Sequence, residues 1–131
     1  MKLLILALAL PLPRQFDLEC AGTVQAISST DPAPVSSSSR YRVDLDRREF
    51  CEDDCLVQWE IAAVHPTVLT LMDRHWHEDG GGRDLVIVNR ESGEYRMERT
   101  TGSGSERLGL VGRGRCRAVP FSGMPVPRIA F

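Results

Sequence analysis

From Tyr41 to Asp46 the chain reads Tyr-Arg-Val-Asp-Leu-Asp, with apolar and charged residues in strict alternation. A period of two is that of a strand with one face in a core and the other in water. Tyr41, Val43 and Leu45 are therefore expected inside and Arg42, Asp44 and Asp46 outside. FDLECAGTVQAIS, beginning at Phe16, puts Phe16, Leu18 and Cys20 on one face, with a candidate bulge at Gly22. LVQWEIAAV, from Leu56, reads as a return strand, and His65-Pro66 as a turn, because the residue before proline avoids the helical region. TVLTLMD, from Thr67, is rich in β-branched and apolar residues and reads as the next strand.

The strongest hairpin signal follows. Leu85 to Val88 form an apolar run, Asn89-Arg90-Glu91-Ser92-Gly93 supply turn chemistry, and Tyr95 and Met97 alternate on the way out. RLGLVGRGRCRAV is expected to be the last strand, with Gly109, Gly112 and Gly114 marking a bend or a close neighbour. Between these runs, SSTDPAPVSSSS, RHWHEDGGG and TGSGSE read as loops, and the proline-rich PFSGMPVPRIAF as an extended surface segment. About seven strands without a helix predict an all-β fold, an antiparallel meander forming a small barrel or curled sheet. With 131 residues in all, residues 16–131 are expected to form one domain with an extended C-terminal tail.

MKLLILALAL opens the chain with one lysine and then eight apolar residues. That run is too short for a bilayer, which needs about 20 residues, and PLP then breaks any helix. Residues 1–15 therefore read as a signal peptide, with the mature chain starting near Gln15 or Phe16 and destined for the periplasm or secretion. Export gives the four cysteines a meaning. Cys51 and Cys55 are close enough to pair across a tight turn, which leaves Cys20 and Cys116 to join the two ends. Zinc would need a second close ligand pair, and a redox role would need a lowered thiol pKa that Glu52, Asp53 and Asp54 oppose. Both alternatives rank below a disulfide staple.

FDLECAGT, YRVDLD, the Cys-x3-Cys turn, VNRESGEYR and GRGRCRAVPFSG together resemble an uncharacterised family of small exported proteobacterial proteins with two disulfides. The resemblance implies export and the same two pairings, and no activity. Ser92-Gly93-Glu94-Tyr95-Arg96 is similar to the serine-glycine turn of the bacterial lysozyme inhibitors of the periplasm. Those are small disulfide-closed barrels whose turn reaches the target, so this likeness implies an enzyme inhibitor.

Charge divides the chain. Phe16 to Gly82 carries 13 acidic and 5 basic residues, Arg83 to Phe131 carries 5 and 9. Such a division either steers a charged partner or is neutralised where strands of the two halves interleave. Arg113, Arg115 and Arg117 alternate on the last strand and share a face, whereas Arg96 and Arg99 on the preceding strand point to opposite sides. An arginine row can bind a lipid headgroup, a polysaccharide or an acidic partner. It can equally be a charged face that discourages edge-to-edge pairing.

His75 and His77 would point the same way on an extended segment and are the candidate metal ligands, with His65 the one further imidazole. The acids around Glu52 lack calcium-loop spacing, and no Gly-x-Ser-x-Gly elbow holds a nucleophile. The expectation is thus a soluble exported protein, not an enzyme, with no cofactor. Its partner would be an envelope component or a protein. No basic run is long enough for nucleic acid, and the mature chain has no membrane span. A metal-binding protein or small metalloenzyme using His75 and His77 is the alternative.

Overall fold

The computed structural model describes residues 13–27, 32–102 and 107–125, and the expected signal peptide lies almost wholly outside them. Among the described residues nine strands form one antiparallel sheet: β1 (Gln15–Ile27), β2 (Val35–Asp44), β3 (Glu49–Glu52), β4 (Trp59–Glu60), β5 (Ala63–Val64), β6 (Val68–Trp76), β7 (Gly82–Asn89), β8 (Glu94–Thr101) and β9 (Leu108–Val119). Their spatial order is β4-β3-β2-β1-β9-β8-β7-β6-β5, so the two ends of the chain meet in the middle, β1 beside β9. The sheet curls into a half-barrel. Its two edges approach through consecutive amides, Ile61 N donating to Arg48 O (2.9 Å) and Ala62 N to Leu71 O (3.1 Å).

The concave face holds the core. Phe16, Leu18, Tyr41, Val43, Phe50, Ile61, Leu69, Leu71, Val86, Val88, Tyr95 and Met97 are buried together, as strand alternation requires. Tyr41 and Tyr95 bring their hydroxyls 3.3 Å apart inside it. Burial, then the neighbouring Tyr95, pushes the Tyr41 phenol far above its ordinary range, so it stays protonated. At the rim of this face Arg99 pairs with Glu52. Burial disfavours the Arg99 cation, but Glu52 outweighs that and raises its pKa.

Several expectations change. LVQWEIAAV is not one strand. Leu56 and Val57 are exposed, and only the pairs Trp59–Glu60 and Ala63–Val64 join the sheet, because the chain turns a corner at buried Ile61 to bridge the edges. The serine-rich loop is shorter than expected, since β2 already begins at Val35 and pairs Ser36 to Ser39 with β1. β6 likewise runs on through His75 and Trp76, and a single 3₁₀ turn at Glu78–Gly80 follows.

Gly22 is no bulge. β1 and β9 keep unbroken register there, Gly22 facing Gly114, and a Cβ on Gly22 would collide with the Arg113 carbonyl. The irregularity lies in β6 instead, between Thr70 and Met72.

Both expected disulfides are present, Cys20–Cys116 across β1 and β9 and Cys51–Cys55 in the turn after β3. Two such bonds indicate an oxidising, non-cytoplasmic compartment. Among the described residues no helix is long and apolar enough to cross a membrane.

Candidate anion-binding site

Register decides which arginines meet. In β9 the even positions Gly112, Gly114 and Cys116 belong to the concave side, because Cys116 is bonded to buried Cys20. Arg113, Arg115 and Arg117 therefore share the convex, outer face, as the alternation predicts. β8 pairs with β9 so that Arg96 stands directly opposite Arg113 and Glu94 opposite Arg115. Arg99 faces inward to Glu52, so Arg96 and Arg99 do point to opposite sides.

The outer arginines then divide by partner. Arg117 is taken, its Nε and Nη2 donating to Glu19 Oε2 at 2.9 and 2.6 Å. Arg40, across β1, donates to Asp17 Oδ2 at 2.8 Å and reaches Glu19 Oε1 at 3.4 Å. Arg117–Glu19, like Arg99–Glu52, pairs the basic half with the acidic half, whereas Arg40 pairs within the acidic half. Arg96, Arg113 and Arg115 are the exception, for among the described residues none of them has an acidic oxygen within 4.0 Å. Nor do these residues guard an edge, because β9 and β8 are central strands. That removes edge protection as the reason for the row.

Open grooves surround the trio. One, about 650 Å³, has Val68, Ile87 and Asn89 on one side and Arg96, Arg113 and Arg115 on the other. A second, about 790 Å³, runs across β9 and β1 to β2 and contains Arg115, Arg117, Ser38, Arg40 and Ser92. A guanidinium on a fixed strand presents a planar fork of donors to carboxylate or phosphate, so this face can hold anions.

The hairpin tip borders the second groove. Asn89 Oδ1 accepts from the amides of Glu91 (2.9 Å) and Ser92 (3.0 Å), which shapes the turn. Gly93 sits at φ 76°, and its carbonyl accepts from Cys116 N at 2.7 Å. The Ser92-Gly93 turn is therefore laid against β9 at the level of the Cys20–Cys116 bond.

A strap lies over part of the outer face. After β9, residues 120–125 cross β1, β2 and β3. Ser122 donates from Oγ (2.6 Å) and N (3.2 Å) to the fully buried Asp17, Arg42 Nη1 donates to Gly123 O (3.0 Å), and Gln58 donates to Pro125 O (2.8 Å). Met124 Sδ rests 3.5 Å from Cys51 Sγ. Burial alone would raise the Asp17 pKa, but the Ser122 and Arg40 hydrogen bonds outweigh it and hold the carboxyl below its ordinary value.

The expected metal ligands lie on different backbone elements. His75 lies on β6 with Nε2 3.2 Å from Asp73 Oδ1. His77 falls beyond the strand, in a helical backbone conformation at the start of the 3₁₀ turn, so the two-residue alternation that would align the imidazoles ends before it. Among the described residues no group of three or more histidines, cysteines or acids is gathered for a metal. Comparison of the chain with protein families, curated proteins and solved structures returns no match.

Proposed function

We propose that this is a small exported, non-catalytic binding protein, periplasmic or secreted, that holds an anionic partner on its outer face. The residues assigned to the contact are Arg96, Arg113 and Arg115. One observation carries the reading: Arg96 faces Arg113 on two central strands, and among the described residues no acidic oxygen lies within 4.0 Å of either. Like charges opposite one another weaken a sheet. A local rule broken in a sheet otherwise laced with compensating pairs is the kind of place where function overrides stability.

Cation exchange tests this directly. The chain has a formal net charge of −2, so retention on a sulfonated matrix at pH 7 needs a local basic face. The wild type is expected to be retained, and a protein with Arg96→Gln, Arg113→Gln and Arg115→Gln to elute at clearly lower salt. Identical elution of the two would overturn the assignment.

An inhibitor of a host or competitor enzyme is one form this reading takes, favoured by Ser92 lying in the same groove as Arg115 and Arg117. A lysozyme activity assay decides that form: an undiminished rate with the purified protein in excess rules it out.

A further inference from the structure

We infer that the ligand of the outer face is a linear acidic polysaccharide of the uronate type, a deepening that rests on the anion-binding reading above. Three features of the face point there.

The first is extent. A third groove, about 370 Å³, shares Arg96 and Arg113 with the first and leads to Thr23, Gln25 and Pro34. Arg115 is common to the first two grooves. The three therefore meet at the trio and make one furrow crossing the sheet from β2 to β6. A lone small anion would occupy one forked contact of such a furrow, whereas a chain molecule can follow its length.

The second is lining. Away from the arginines the furrow presents the hydroxyl and amide groups of Thr23, Ser38, Asn89 and Ser92 beside apolar Val68, Ile87 and Val111. Strand alternation sends Tyr41, Phe50, Trp59, Trp76 and Tyr95 to the concave side. Tyr95 borders the first groove but is buried in the core, so the furrow offers no exposed ring on which nucleic-acid bases could stack and no aromatic anchor for a protein interface. Sugar hydroxyls and spaced carboxylates match what it does offer, since the arginine fork pairs with a carboxylate through two parallel hydrogen bonds.

The third is charge density. Glu94 stands opposite Arg115, and Glu19 and Asp53 border the second groove. These acids would repel a polymer sulfated at every unit and tolerate one with a single carboxylate per sugar.

The test uses the purified oxidised protein and four probes: polygalacturonate, galacturonic acid monomer, dextran sulfate, and vesicles containing phosphatidylglycerol. Titration calorimetry is expected to show polygalacturonate binding at low salt, weakening steeply as salt rises, and far exceeding the monomer. Arg113→Gln and Arg96→Gln should each lower that affinity about tenfold, the size of a lost charge-assisted hydrogen bond. Ser38→Glu, in the furrow but away from the trio, should weaken polygalacturonate binding and leave the response to the galacturonic acid monomer unchanged.

Dextran sulfate or the vesicles binding more tightly than polygalacturonate, with the same loss in Arg113→Gln, would overturn the uronate inference and leave the anion-binding face standing. Equal affinity for monomer and polymer would overturn it too. A protein that binds none of the four overturns both readings.

Discussion

Asp17 shows how one side chain can couple the two ends of the chain. It sits on β1, fully buried, and its carboxylate collects hydrogen bonds from Ser122 beyond β9 and from Arg40 on β2. A depressed pKa in the folded state adds stability above the unfolded value of about 3.9, and that share disappears as pH falls through the folded value. Urea midpoints of the wild type should therefore fall below about pH 4, while Asp17→Asn, already less stable by about 1–3 kcal/mol at pH 7, should lack this component. A variant as stable as the wild type at pH 7 would contradict the role given to Asp17. Gly22 is the second residue of this kind. Its missing Cβ lets β1 lie against the Arg113 carbonyl. Gly22→Val is expected to cost about 1–3 kcal/mol by urea denaturation, the range for forcing atoms into a packed contact.

Elements differ in how strongly they tie the fold. The Cys20–Cys116 bond joins residues 96 apart, and Cys51–Cys55 joins residues 4 apart. Chain-entropy reasoning gives about 5 kcal/mol for the long loop and about 2 kcal/mol for the short one. Paired Cys→Ser variants should preserve that ranking in urea, and a larger loss from Cys51→Ser/Cys55→Ser would mean that the turn also supports the strap lying over it. Most strand positions were legible from local pattern. YRVDLD puts Tyr41, Val43 and Leu45 in the core, and Asn89 to Gly93 form the β7–β8 turn. LVQWEIAAV misled because its apolar residues serve a corner rather than a strand. Leu56 and Val57 stay in solvent while Ile61 alone fills the seam.

For the whole molecule the question is which charges remain uncompensated once the sheet has formed. Arg117 and Glu19 form a half-exposed pair, worth about 0–1 kcal/mol. Arg117→Gln should therefore leave both stability and retention on the sulfonated matrix nearly unchanged. Arg113→Gln should leave stability unchanged or slightly raised, by relief of the contact with Arg96, and lower the salt needed for elution. If Arg117→Gln shifted elution as much as Arg113→Gln, the anion site would extend along the whole row. The compartment also belongs to this scale. Protein recovered from its native host should resist thiol alkylation until reduced, because all four cysteines are paired.

Much was decided by the chain alone: an all-β fold, that Arg113, Arg115 and Arg117 share one face of β9, the hairpin from Leu85 to Met97, and the partners of the four cysteines. Each follows from alternation, turn chemistry or spacing, which act over a few residues or depend on a cysteine count. The Cys20–Cys116 bond already draws β1 toward β9, but only the tertiary structure could set them as paired neighbours in this register, because pairing between distant strands leaves no periodic trace in either. That adjacency brings Glu19 to Arg117, Ser122 to Asp17 and Gly22 to Gly114. The β8–β9 register in turn sets Arg96 against Arg113. The candidate site is the set of arginines on the outer face of β8 and β9 that form no ion pair among the described residues.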